Sequence, residues 1–275
     1  MLRSADKLAG YKLGAIDGEF GKVKDFYFDD QTWTIRYLVD DTGGWLPGLQ
    51  VLVSPFAVKA IEDAAKHINV GLSKQQIENS PGIDADKPVS RQYEEKYHQY
   101  FGWPMYWYGP ALWGPAPFPV FEGYVPPAGT AQPPSERGGD PHLRSTGEMI
   151  KYRIRAKDRE IGHVEDFLID DHTWSIRYLV VDTRNWWPGK KVLLSPQWIE
   201  RVSWSEASVH VDLLSETIKA APEYSGLESI SREYETALYT HYAKDPYWSE
   251  HLEQAHQAET APSSGPKKAE TAVGR

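Results

Sequence analysis

No cysteine occurs in the 275 residues, so disulfides, zinc–thiolate sites and thiol catalysis are excluded. Its absence fits a reducing compartment. No run of about 18 apolar residues is present, so no membrane helix is expected. The opening MLRSADKLAGYKLG has no apolar core of signal-peptide length. Together these point to the cytoplasm. Positive charge is also scarce: 30 Lys and Arg face 39 Asp and Glu, for a net charge of −9 and a pI near 5.5. Nucleic-acid binding draws most of its affinity from neutralised phosphates, and an acidic chain without a basic block argues against it. The same charge disfavours an anionic membrane surface. No G-x-S-x-G, P-loop, G-x-G-x-x-G or H-E-x-x-H motif is present. The expectation is a protein that is not an enzyme and holds no cofactor.

What is present is a repeat. Residues 21–55, GKVKDFYFDDQTWTIRYLVDDTGGWLPGLQVLVSP, return as residues 162–196, GHVEDFLIDDHTWSIRYLVVDTRNWWPGKKVLLSP, without a gap. A repeat of this length means two copies of one fold. It begins at Tyr11 and Tyr152, and even Tyr106-Trp107 recurs as Tyr247-Trp248. Residues 1–101 are expected to form the first domain, with helices at its end. Residues 102–143 form a linker rich in Pro and aromatics. Residues 144–250 form the second domain, and residues 251–275 a disordered tail.

Within each copy the signals are those of short strands. Residues 23–29 and 32–40 read as two strands joined by a polar turn. A period of two places Trp33, Ile35, Tyr37 and Val39 on one face, and Trp174, Ile176, Tyr178 and Val180 on its equivalent. That face reads as core, and the other as mixed. Gly21 and Gly162 suit a bulge or a close backbone approach. Residues 43–48, with Trp45, and the equivalent around Trp186 read as a loop. Residues 50–54, 68–70 and 209–211 complete the strands. Ser73 with Gln76 forms a capping-box signature, which Leu214 breaks in the second copy. Ser90 caps a helix closed by Gly102. Its aromatic stripe is Tyr93, Tyr97, Tyr100 and Phe101, repeated as Tyr234, Leu238, His241 and Tyr242. The fold class is mainly β: two tandem small antiparallel β-barrels, each followed by short helices.

The pattern G-x-V-x-D, D-x-T-W-x-I-R-Y-L-V and V-L-(V/L)-S-P resembles the PRC-barrel domain. Gly21, Val23, Asp25, Asp29, Ile35, Arg36, Tyr37, Leu38, Val39, Ser54 and Pro55 carry the likeness. Gly162, Val164, Asp166, Asp170, Ile176, Arg177, Tyr178, Leu179, Val180, Ser195 and Pro196 repeat it. The chain resembles the tandem two-copy bacterial type. The family's barrel also occurs in the photosynthetic reaction-centre H subunit and in a ribosome maturation factor. There it is a docking module, which implies a protein partner and a non-catalytic interaction or scaffold role.

Among chemical candidates, Asp25, Asp29, Asp30, Asp40 and Asp41 form an acidic cluster. It lacks the spacing and turn of a calcium loop and reads as turn residues and solvated strand ends. Arg36 and Arg177 read as stems covering apolar surface and pairing with a nearby Asp, with a partner contact as the sharper reading. His241, His251 and His256 lack metal-site spacing. The aromatic linker holds Trp103, Met105, Tyr106, Trp107, Tyr108, Trp113, Phe118, Phe121 and Tyr124. It is either packed on the fold or a partner-binding ribbon anchored by Trp103, Tyr106, Trp107 and Trp113. The two copies are expected to imitate a dimer within one chain, with further homodimerisation open. The alternative function is a small-molecule, metal or anion binder with its site between the barrels.

Overall fold

The structure, a computed structural model, describes residues 1–41, 49–84, 89–120, 142–183 and 190–249; for residues 49, 50, 83 and 84 it describes the backbone alone. The loops with Trp45 and Trp186, the linker from Phe121 through Tyr124 and Pro126 to residue 141, and the tail with His251 and His256 lie outside these residues.

The chain opens with β1 (Leu2–Ser4), the helical turn α1 (Ala5–Leu8), β2 (Lys12–Ala15), β3 (Gly18–Asp29), β4 (Thr34–Asp41) and β5 (Leu49–Val53). A 3-10 turn at Pro55–Ala57 leads into β6 (Val58–Glu62) and β7 (His67–Val70). Then come α2 (Lys74–Glu78), β8 (Ile83–Asp84) and α3 (Arg91–Phe101). The second copy supplies β9 (Leu143–Ser145), α4 (Thr146–Met149), β10 (Arg153–Arg155), β11 (Glu160–Asp170), β12 (Ile176–Asp182) and β13 (Lys191–Leu194). A 3-10 turn at Pro196–Trp198 precedes β14 (Ile199–Ser203), β15 (Ser208–Val211), α5 (Ser215–Ala220) and α6 (Arg232–His241). Residues 1–229 form one compact unit that holds the strands of both copies, and a second unit begins at Ile230.

The mainly β class holds, as two mixed sheets of eight and seven strands among the described residues. They are not purely antiparallel. β2 runs parallel to β7, and β10 parallel to β15. In each copy several strands intervene between these partners, and such a crossover permits parallel pairing. Nor are the sheets hydrogen-bonded into closed barrels: among the described residues the ladders run β6-β7-β2-β3-β4-β5-β8 and β13-β12-β11-β10-β15-β14.

The long hairpins β3–β4 and β11–β12 are the spine of each copy. Val, Ile, Tyr and Phe dominate them, residues that fit a pleated buried surface. Both faces of β4 are buried, including Thr34, Arg36 and Asp40, so the mixed face expected from its polar residues is also interior. Trp33 and Trp174 do not sit in the strands. Both lie in the turn with left-handed backbones, φ 52° and 59°. Trp174 is buried and Trp33 half-buried, stacked on Phe28 at 5.2 Å.

This twist of the turn directs each Trp carbonyl across the copies. Trp33 O accepts from Ile176 N at 2.7 Å, and Trp174 O from Ile35 N at 2.8 Å. Thr34 and Ser175, equivalent positions, form the bridge between them, which places a pseudo-twofold axis there. The copies also exchange their first strands. β1 pairs with β11, in the second copy, and β9 with β3, in the first.

Helix capping follows the sequence. Ser73 and Gln76 complete the capping box, and Gly102 closes α3 with φ 68°. Leu214 provides no side-chain cap to α5; instead Ser215 donates through N and Oγ to Asp158, at 2.9 and 2.6 Å. The buried face of α3 differs from the aromatic stripe. Glu94, Tyr97 and His98 are buried, whereas Tyr100 is 43% exposed.

Gly21 and Gly162 each sit beside a register shift in the ladder, as expected of a bulge; Gly162 also meets a close backbone approach, whereas Gly21 lies against the Asp40 carboxylate. A Cβ on Gly162 would lie 2.1 Å from the Asp182 carbonyl oxygen, at φ 152°. Gly162→Ala should therefore destabilise by about 2–4 kcal/mol, because backbone must shift. Gly102→Ala meets open space and should cost about 1 kcal/mol from its left-handed cap alone. Urea unfolding of both variants checks the ranking; equal losses would refute the close-approach reading.

Candidate functional site

α3 lays Glu94 and His98, one turn apart, over the β4 hairpin of the first copy. Glu94 has no exposed surface and collects a ring of donors. Its Oε1 accepts from the hydroxyls of Tyr106 at 2.7 Å and Tyr37 at 3.1 Å. Its Oε2 lies 2.9 Å from His142 Nε2 and 3.1 Å from Arg91 Nη1. Burial acts to raise the Glu94 carboxyl, but the bond with His142 and the charges of Arg91 and His142 outweigh it. The carboxyl is thus held below its ordinary value. His98 is pushed down to about 4 by burial and is neutral at pH 7. Its Nδ1 donates to the Pro104 carbonyl at 2.8 Å, which makes Nε2 an acceptor, and the single Tyr37 hydroxyl hydrogen is shared between that Nε2 and Glu94 Oε1, each at 3.1 Å. Burial raises Tyr37 and Tyr106 well above the phenol range, so both stay protonated.

Arg36 enters this cluster from β4 and is 2% exposed. Its Nη1 donates to Leu112 O at 2.8 Å, and its Nη2 to Thr32 Oγ1 at 3.2 Å. Asp29 stands 3.5 Å away. The guanidinium lies 3.8 Å from the Tyr106 ring centroid and 4.8 Å from that of Trp113. Burial lowers its pKa, opposed by the neighbouring Tyr106, Asp29 and Glu94. Arg177, the equivalent, is half-buried and forks onto Asp170 Oδ2, with Nη2 at 2.8 Å. The difference is the aromatic ribbon. Trp103, Tyr106 and Trp113 are 8%, 3% and 1% exposed, packed over the first copy. Trp107 is half-buried against Arg91, at 4.2 Å. The ribbon then reaches the second copy, where Trp113 Nε1 donates to Thr173 O at 2.8 Å and Phe118 packs on His172.

The second unit builds part of the same cluster within itself. Arg232 pairs with Glu235 at 3.3 Å, and Tyr247 donates to Glu235 at 3.2 Å. Arg232 also covers Trp248 at 4.0 Å. These match Arg91, Glu94, Tyr106 and Trp107. The recurrence of Arg and Glu three residues apart was a sequence signal for this cluster, but His142 and His98 carried none. His241 contacts Tyr242 within that unit.

The acidic candidates have separate duties. Asp29 and Asp170 close the hairpin turns, accepting from Gln31 N and His172 N. Asp25 and Asp30, expected at solvated strand ends, instead receive the exchanged segment. Asp25 accepts from Ser145 Oγ, from Thr146 Oγ1 at 2.8 Å and from Gly147 N at 2.9 Å. Asp166 accepts equivalently from Ser4 Oγ at 2.5 Å and Asp6 N at 2.9 Å. Asp30 pairs with Arg144 and Asp171 with Arg3, at 3.0 and 2.7 Å. Asp41 is exposed. Among the described residues no three His, Asp or Glu side chains assemble as metal ligands.

Asp40 stands apart. It is 4% exposed, neither carboxylate oxygen has a hydrogen-bond partner of good geometry, and burial, opposed by the nearby Lys22 backbone N–H, pushes its pKa up to about 7. Val181 occupies its place in the second copy, fully buried.

Two grooves border the seam between copies. One, of about 340 Å³, runs from β6 at Val58–Ile61 to Asp171, His172 and Trp174, with Phe118 and Val120 on its rim. The other, of about 600 Å³, lies beside α1 between Asp6, Asp166 and Tyr224.

No protein-family model matches the chain. An uncharacterised protein of Deinococcus radiodurans is 30% identical over 99 residues, about the length of one repeat. The match covers 31% of this chain, and the chain spans 35% of that relative's length.

Arg36→Ala should cost about 3–5 kcal/mol, since it strands Asp29 and the Leu112 carbonyl in the interior. Arg177→Ala, less enclosed, should cost about 1–2 kcal/mol. Paired thermal melts read the difference; equal costs would show that ribbon cover is immaterial. For Asp40 the folded pKa exceeds the ordinary carboxylate value, so its contribution is full below pH 4 and declines as pH rises through 7. Asp40→Val should leave stability little changed at pH 4. Above pH 7 it should gain on the order of 2–4 kcal/mol. A stability–pH series for both chains checks it, and a constant gap would contradict the buried-carboxylate account.

Proposed function

We propose that the chain is a non-catalytic protein-interaction or scaffold module built from two PRC-barrel-like repeats. The observation that supports this reading is how its chemically capable side chains are used. Glu94, His98, Arg36, Asp25, Asp30, Asp166 and Asp171 all bind groups of the chain itself, and the result is one stiff pair of repeats. Such a pair offers outer surface for a partner. The predicted anchors Trp103, Tyr106 and Trp113 face inward, so the ribbon's available surface is its rim, where Val120 is 51% exposed. Closure of each sheet into a barrel, through the corner at Pro55–Ala57 and its equivalent, belongs to this same proposal.

One observation favours the second reading, a small-molecule or anion binder. The 340 Å³ groove straddles the seam and carries Arg3, Lys59 and His172. Pockets favour such junctions.

Deleting residues 102–142 would strip Trp103, Tyr106, Trp113 and His142 from the interior, so point substitutions are the sound probe. We expect the intact chain to capture a defined protein from native extract, with capture reduced by Lys59→Glu with Val120→Glu. If no partner is reproducibly held while anions or small molecules raise the melting temperature, the binder reading replaces the scaffold.

A further inference from the structure

The exchanged segments are equivalent ligands. Leu2-Arg3-Ser4 and Leu143-Arg144-Ser145 are identical, and each lies on the far part of the long strand in the same register. Leu2 faces Asp170 and Leu143 faces Asp29. Arg3 pairs with Asp171 as Arg144 does with Asp30. Ser4 caps its helical turn through Lys7 N while donating to Asp166; Ser145 does the same with Glu148 N and Asp25. Leu8 and Met149, equivalent positions, are the buried apolar anchors, at 2% and 0% exposure.

We infer that the outer part of β11, with Asp166 and Asp171, is a recognition site for a Leu-Arg-Ser segment followed four residues later by an apolar anchor. Its occupant in trans is residues 1–10 of a second copy of this chain. The site reads its ligand in three ways: main-chain pairing of a short strand, a carboxylate for the arginine, and a carboxylate for the capped turn. Strand addition with side-chain pockets is an established mode of peptide recognition. Nothing in these contacts depends on the segment belonging to the same polypeptide.

The geometry of release is also present. The segment joins β2 through Ala9 and Gly10, and Gly10 has φ 84°. The equivalent Lys151 holds a similar left-handed conformation, φ 74°. A short connection that can re-aim the element before it is the setting in which identical elements exchange between chains. The 600 Å³ groove has Ser4, Asp6 and Asp166 on its walls, so solvent reaches the docked turn. This inference rests on the exchange alone and stands whether or not the scaffold reading does.

The test is peptide capture by the full chain. Arg3→Glu turns the resident segment against Asp171 and Asp63, both of which Arg3 now binds. A labelled peptide of residues 1–10, MLRSADKLAG, should bind the Arg3→Glu chain at least about tenfold tighter than the wild-type chain, whose own segment competes intramolecularly. The residue 143–151 peptide should compete for it, and a peptide with Ser4→Ala and Arg3→Glu should not. Adding Asp166→Asn to the chain should weaken capture. A folded Arg3→Glu chain that shows no saturable peptide binding would overturn the inference. Should that variant not fold, the wild-type chain decides. Unfolded and refolded at about 1 mM, it should yield an exchanged dimer that is absent on refolding at about 1 μM. A monomer at both concentrations overturns the inference equally.

Discussion

The reciprocal exchange of the first strands is the constraint on which the rest of the first unit depends. Each copy lends three residues and a helical turn to the other. Asp25, Asp30, Asp166 and Asp171 hold them there. Neither long hairpin is fully paired without the other copy, so neither repeat is complete alone. The two Trp turns then fasten the centre, where left-handed backbones at Trp33 and Trp174 point their carbonyls across the axis.

On this twofold frame the chain imposes an asymmetry. The ribbon after α3 covers Arg36 with Tyr106 and Trp113, and brings Glu94, His98 and His142 into one buried network. His142 immediately precedes β9, so the network sits at the root of the strand that crosses to the first copy. Burial of this much polarity is tolerable because most of these groups satisfy one another, Arg36 Nε excepted, and removal of any one charge leaves another stranded. Asp40 lies outside this network, a buried carboxylate with no side-chain partner where the other copy has valine.

Much of this architecture was legible in the sequence. The gap-free repeat gave the two copies. Alternation gave the hairpins, and Ser73, Ser90 and Gly102 gave the helix ends. Glycines 21 and 162 were readable as positions of a bulge or close approach, and both sit beside a register shift. What stayed hidden has a physical cause in each case. The period of two marks a face but not what covers it, so Arg36 looked half-solvated until the ribbon was placed over it. Trp33 fits the strand period perfectly well, yet its backbone turns because its carbonyl serves the other copy. Asp25 and Asp30 look like ordinary turn residues, since a carboxylate's partner more than a hundred residues away leaves no local pattern. The identity of Leu2-Arg3-Ser4 with Leu143-Arg144-Ser145 was the available clue, but a three-residue match is short, and nothing in it says that the strands cross.

The exchange also sets a timetable. Arg3 and the carboxylate that receives it are 168 residues apart along the chain. At the usual pace of synthesis, that separation is roughly 10–30 s of translation. Throughout that interval the first strand lacks the strand it pairs with, and the outer stretch of β3 likewise waits for residues 143–145. The nascent first repeat therefore presents an open, β-prone edge to the crowded exterior of the ribosome. Any chaperone dependence of this protein should be concentrated in that window.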